Sequence, residues 1–195
     1  LLKDNTYMAS KDAAREIGFQ SENKFYPFEQ FDLKYNRPDL ILAEVGIARG
    51  EIIDAYHSAY QKRLKKSGFK EEDLGEEIHL PETEVLNFVS TPIVTAQELE
   101  LNISIKDTRY LLDRYNIWIN DVPLFGTKGK SIRGQGFDSL QVNEKVVLSS
   151  GLNKIQVSCH NERGIESYKE TKEITFNPGK SLKPDLYYIA ISTSK

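Results

Sequence analysis

The spacing of apolar residues changes period once along this chain, near Pro81, and that change limits the fold more than any other feature of the sequence. Upstream of it apolar side chains recur about every 3.6 residues, as on one face of a helix. Downstream they recur every second residue, as on one face of a strand. A chain with this order of periods is α+β, with short helices first and antiparallel sheet after them.

The helical part reads in three pieces. Ile52, Ile53, Tyr56, Ala59, Tyr60 and Leu64 stand three and four residues apart, which predicts a helix from about Gly50 to Ser67. Glu51 and Asp54 begin it and Lys62, Arg63, Lys65 and Lys66 crowd its last turns, an order that suits the helix dipole. Gly68 ends it. A shorter helix is expected to be capped by Asn36, with Pro38 in its first turn, Leu40, Ile41, Leu42 and Val45 as its apolar face and Gly46 as its stop. Ser10 is placed to cap a helix over residues 11–17 that Gly18 would close. Tyr7-Met8-Ala9 and Lys24-Phe25-Tyr26 are expected to pair as a small hairpin. Tyr56, Tyr60, Ile53 and Leu64 are the residues expected to pack this region against the strands downstream.

Residues 70–82 form an acidic linker, with Glu71, Glu72, Asp73, Glu76 and Glu77 as a solvated run. Beyond it Leu99, Leu101, Ile103 and Ile105 alternate with polar residues, as do Ile117 and Ile119, and Ile155, Val157 and Cys159. Further strands are expected at 85–89, 122–125, 140–148 and 167–176. Asn120-Asp121, the glycines at 126 and 129, Ser150-Gly151 and Arg163-Gly164 supply turns between them. Closely spaced short strands of this kind read as an immunoglobulin-like antiparallel β-sandwich, fibronectin-like because no Cys…Trp…Cys pattern occurs. The expected layout is a mostly helical region over 1–82, a sandwich over 83–177 and a linker with one further strand over 178–195. That last strand, Leu186, Tyr187, Tyr188, Ile189, Ala190 and Ile191, is apolar on both faces, so the sequence reads as an excised piece that stops before its sheet is built. Its unpaired edge is expected to join the sandwich or a second copy of the chain.

Composition narrows the function. The formal net charge is −3, so no global field draws in nucleic acid. No apolar run approaches the roughly 20 residues of a membrane helix, and no signal peptide pattern occurs. With a single cysteine there is no internal disulfide, and a reducing, cytoplasmic setting is expected. Cys159 and His160 are adjacent, but neighbours on a strand point to opposite faces, so they do not form a nucleophile and base. His57 and His79 lack metal-ligand spacing, and neither a metal nor a cofactor is expected. The Gly-rich basic stretch from Gly126 to Gly136 lacks the phosphate-loop pattern; if the chain holds a ligand, Lys128, Lys130 and Arg133 are its best contacts. Trp118 breaks the polar phase of its strand. It can anchor the sandwich to the helices, enter the core, or serve as an exposed platform for carbohydrate.

Three stretches together resemble a family. They are Tyr26-Pro27-Phe28-Glu29-Gln30-Phe31-Asp32-Leu33-Lys34-Tyr35-Asn36-Arg37-Pro38-Asp39; Tyr115-Asn116-Ile117-Trp118-Ile119-Asn120-Asp121-Val122-Pro123; and Ser150-Gly151-Leu152-Asn153-Lys154-Ile155-Gln156-Val157 with Lys183-Pro184-Asp185-Leu186-Tyr187-Tyr188-Ile189-Ala190-Ile191 behind it. They resemble the segment between a WD40 propeller and a caspase-like (C14-type) cysteine peptidase domain in bacterial multidomain proteins. The resemblance implies a non-catalytic interaction and spacer module that positions or regulates the peptidase, with the propeller and peptidase domains as its partners. It also implies that the catalytic His and Cys lie beyond Lys195. A ligand-binding sandwich, for sugar or peptide, is the rival reading. An enzyme in its own right is a further one, which no spaced acid, base and nucleophile supports.

Overall fold

The computed structural model describes residues 2, 4–10, 12–13, 18–21, 23–74, 79–88, 93–179 and 188–190. Strands β1 (Gly18–Ser21) and β2 (Lys24–Pro27) form an antiparallel hairpin. A 3-10 turn, Phe28–Phe31, leads into α1 (Asp32–Tyr35), α2 (Pro38–Val45) and α3 (Gly50–Ser67), followed by a second 3-10 turn, Glu71–Asp73. The helix expected from about Gly50 to Ser67 has those bounds. It ends because Gly68 adopts φ 78°, a left-handed conformation in which its N–H reaches back to the Leu64 and Lys65 carbonyls.

Three expectations in this region are corrected. Lys24–Tyr26 pair with Gly18–Ser21 and not with Tyr7–Ala9, because Tyr7 is held elsewhere. Its N–H donates to the Tyr35 carbonyl at 2.7 Å, and its own carbonyl accepts from Arg37 N–H at 3.0 Å. The same bridge takes Asn36 out of the capping position. Arg37 precedes α2, and the Asn36 amide donates to Asp32 Oδ1 at 2.5 Å. Ser10 does accept the Ala13 N–H at 3.2 Å, but residues 14–17 lie outside the described ones, and Gly18 opens a strand.

The sandwich comes next in the chain. Strands β3 (Glu82–Val85), β5 (Glu98–Lys106) and β9 (Ser139–Val147) form one sheet in the order β3-β5-β9. Strands β4 (Ile93–Val94), β6 (Leu112–Ile119), β7 (Val122–Pro123), β10 (Gly151–Asn161) and β11 (Glu170–Phe176) form the other, ordered β4-β11-β10-β6-β7, with β8 (Lys130–Ser131) also paired to β6. The pairings are antiparallel except for the short β4–β11 contact. The chain is therefore α+β, with an immunoglobulin-like antiparallel sandwich, as the change of period implies.

The alternation settles which face is inward. Leu101, Ile103, Ile105 and Val146 from one sheet meet Tyr115, Ile117, Ile155, Val157, Cys159, Ile174 and Phe176 from the other in one buried cluster. The turn between β6 and β7 is made by Asn120 and Asp121, both at positive φ (52° and 67°), a pair of left-handed residues that fits a two-residue hairpin. Gly129 is obligatory: a Cβ there would lie 2.6 Å from the Tyr115 carbonyl oxygen.

Several strand bounds differ from expectation for local reasons. β3 lies at Glu82–Val85 rather than over 85–89, since Asn87 turns the chain by accepting Asn102 N–H at 2.9 Å and donating to the Glu100 carbonyl at 2.8 Å; residue 89 lies outside the described ones. β11 begins at Glu170 because Ser167 is tied to Cys159 by its backbone and its hydroxyl. Of the expected strand over 186–191, residues 186, 187 and 191 lie outside the described ones. Tyr188, Ile189 and Ala190 are exposed and not in a strand.

Candidate functional site

The outer face of the β6/β10 sheet is covered by the N-terminal region, and the covering is built from a few side chains. Arg114, Asn116 and Trp118 on β6, with Gln156, Ser158 and His160 on β10, point away from the core by strand alternation. Arg114 Nη1 donates to the Ser67 carbonyl at 2.8 Å, and Arg133 Nη1 to the Gly68 carbonyl at 2.8 Å. Two guanidinium groups thus cap the last carbonyls of α3, where the helix dipole is negative. Both also meet the fully buried Asp113 carboxylate, Arg114 on Oδ2 and Arg133 on Oδ1. Both lie over the Phe69 ring, 4.7 Å and 4.9 Å from its centroid. Phe69 is itself buried with Tyr60 and Leu64, with Leu33 and Leu74 packed around them.

Other contacts extend this interface. Gln30 Nε2 donates to the Glu166 and Ser167 carbonyls at 2.9 Å and 2.7 Å, and the Tyr26 ring stands edge-on to Tyr168. Gly164 sits so close to Leu74 that a Cβ would lie 2.9 Å from its Cδ2. Tyr60 and Leu64 are buried, but against Phe69, Leu33 and Leu74 of their own region, while Tyr56 and Ile52 are largely exposed and Ile53 is half-buried. From this stretch the sandwich meets Ser67, Gly68 and Phe69 instead.

Within the helical region Arg37 organises a second cluster. Its Nε and Nη2 donate to the two Asp39 oxygens at 3.0 Å and 2.9 Å, and Nη1 donates to Glu71 Oε1 at 2.6 Å. Its guanidinium lies 4.0 Å from the Tyr60 ring centroid. His57 Nδ1 lies 3.1 Å from Asp39 Oδ2. Burial pushes the Asp39 carboxyl up, but the hydrogen bonds from Arg37 and His57 and the Arg37 charge outweigh it and hold the carboxyl at about 2.

Of the four residues singled out as ligand contacts, the structure brings two together. Trp118 and Lys128 line a cleft of about 250 Å³ between the sheet face and the helical region, with Leu33, Lys66, Phe69 and His160. Lys130 instead pairs with Glu144 at 2.5 Å, 5.4 Å from the Phe125 ring centroid, and Arg133 belongs to the Asp113 clamp. Trp118 is half-buried, with Lys169 Nζ 4.4 Å from its ring centroid. Of its three readings, entry into the core does not fit, since Trp118 lies outside the buried core cluster and lines the cleft that faces the helical region.

His160 and Lys66 are cleft residues that sequence patterns alone did not single out. His160 was legible in principle, since it shares the outward phase of Gln156 and Ser158. Burial pulls the His160 imidazole below its usual range. Its Nδ1 is buried without a hydrogen-bond partner among the described residues. Cys159, on the opposite face, is fully buried; burial pushes its thiol up to about 12. No group of His, Cys, Asp and Glu able to hold a metal ion occurs among the described residues, and no helix among them is long and apolar enough to cross a membrane.

No protein-family model matches the chain, and no curated protein matches it by sequence. Solved structures are similar to part of the chain. The fibronectin(III)-like modules of Clostridium thermocellum CbhA are 11% identical with a TM-score of 0.42, covering 56% of this chain and 54% of theirs. The SrpA adhesin of Streptococcus sanguinis (R347E mutant) is 13% identical with a TM-score of 0.36, over 52% and 59% of the two chains. The PKD domain of an M14-like peptidase from Thermoplasmatales archaeon SCGC AB-540-F20 is 15% identical with a TM-score of 0.33, over 50% and 92%. The match therefore spans little more than half of the first two structures' length. No functional residue carries over from any of them.

Proposed function

We propose that this chain is a non-catalytic interaction and spacer module of a larger protein, one that holds neighbouring domains at a defined spacing. The observation that carries the reading is the Asp113 clamp. It ties the end of α3 to the sandwich through Arg114 and Arg133, contacts that would hold the helical region and the sandwich together as one block. A spacer needs that stiffness, because a flexible joint between its parts would lose the spacing. The lone cysteine supports the same reading: its buried, protonated thiol faces the core, away from the neighbouring imidazole. The resemblance to the segment between a WD40 propeller and a caspase-like peptidase supplies the domains such a block would separate.

Limited proteolysis of the full chain tests the proposal. Protection of the helical region and the sandwich together is the expected result. Early release of a stable 85–177 fragment would show two independent parts and would remove the basis for a rigid spacer.

A further inference from the structure

The cleft between α3 and the outer face of the β6/β10 sheet carries more positive charge than its structural role uses. Arg114 is engaged by Asp113 and by the Ser67 carbonyl. Lys66 and Lys128, by contrast, have no hydrogen-bond or ion-pair partner for their ammonium groups among the described residues, and both line the cleft. No Asp or Glu is among the lining residues. A third ammonium, that of Lys169, stands over the Trp118 ring, with its own partner Glu166 as far as 3.8 Å away. Two neighbouring ammonium groups with no facing carboxylate, Lys66 and Lys128, are stabilised by an anion from outside the chain.

The remaining walls define the rest of the ligand. Phe69, Leu33 and Trp118 are apolar surfaces beside those ammonium groups, and Thr127 and His160 offer hydrogen bonds. His160 Nδ1 is the second, independent sign of a ligand: a buried nitrogen with no partner, on the side of the strand that faces the cleft. The volume of about 250 Å³ is small beside the roughly 300–1,000 Å³ of drug-sized sites, so it suits a compact molecule.

We propose that this cleft is a binding site for a small oxyanion, phosphate or carboxylate, carried on a flat apolar group. Lys66 and Lys128 would hold the oxyanion, the apolar group would lie along Trp118 and Phe69, and His160 Nδ1 would gain the partner it lacks. This goes beyond the spacer reading and does not depend on it.

Trp118 is the only tryptophan of the chain, so its fluorescence reports on the cleft directly. Phenyl phosphate, benzoate and benzyl alcohol are titrated separately into the full chain at matched ionic strength. A saturable change with phenyl phosphate or with benzoate is expected, and which of them binds more tightly identifies the oxyanion. Benzyl alcohol should give no saturable change. The double variant Lys66→Ala, Lys128→Ala should weaken binding about tenfold, while Lys172→Ala, at the Glu170 pair, leaves it as it was. Both cleft lysines are exposed and unpaired, so the variant keeps the fold. Absence of a saturable response to either anion, an equal response to benzyl alcohol, or unchanged affinity in the double variant would overturn the proposal.

Discussion

Arg133 joins Asp113 to Gly68: its Nε meets one oxygen of that buried carboxylate while its Nη1 donates 2.8 Å to the carbonyl just past the last turn of α3. Because Arg114 takes the other oxygen, one carboxylate orients two guanidinium groups toward the same helix end. Asp113→Ala would leave both arginines without their anchor. Loss of one partner from a buried pair costs about 3–5 kcal/mol, and urea denaturation of the variant should show a loss of that order. A loss below about 1 kcal/mol, typical of a surface ion pair, would show that the clamp contributes little.

Phe69 is where burial and cation–π contact coincide. Phe69→Ala should cost about 3–5 kcal/mol through the cavity it leaves. Phe69→Leu keeps most of the volume but not the ring, and should be milder. A double-mutant cycle with Arg133→Ala, read by urea unfolding, should give a coupling of about 0.5–1 kcal/mol, the size of an exposed cation–π contact. Strict additivity would show that ring and guanidinium do not interact.

The thiol of Cys159 should be inert in the folded protein. Its Sγ is fully buried, and the raised pKa leaves almost no thiolate at neutral pH. A disulfide reagent that releases a coloured thiolate should react only as fast as the protein unfolds, and stoichiometrically once urea is added. Fast reaction of the native protein would place Cys159 at the surface.

Acid should loosen the Arg37 cluster in a defined window. Asp39 has a folded pKa near 2, below the ordinary aspartate value of about 3.9. A carboxylate depressed in this way stabilises the folded state above its unfolded pKa, and the stabilisation is lost as pH falls through the folded value. The contribution is about 2–3 kcal/mol at neutral pH. It should decline between about pH 4 and pH 2, and Asp39→Asn should lack that part of the decline. An identical acid profile in Asp39→Asn would remove Asp39 from the account.

The strands, the long helix and the inward phase of Cys159 were legible because each rests on a local periodicity and a local turn. What escaped was long-range. Tyr56 and Ile52 share the stripe of Tyr60 and Leu64, yet only the lower half of the stripe is buried, against Phe69, Leu33 and Leu74, and the sandwich meets Ser67, Gly68 and Phe69 instead. Lys130 and Arg133 looked like ligand contacts in a basic loop. Their carboxylates, Glu144 and Asp113, are distant in sequence, and no local pattern reveals such pairing. Trp118 and Lys128 could be picked out singly. That Lys66 and His160 join them at one cleft depends on how the helices lie across the sheet.

Scanning calorimetry of the full chain tests most directly whether the helical region and the sandwich are one block. We predict a single transition whose calorimetric and van't Hoff enthalpies agree, with a midpoint lowered by Asp113→Ala and no new step. Two separate transitions in the unaltered protein, with the upper one unmoved by Asp113→Ala, would contradict it.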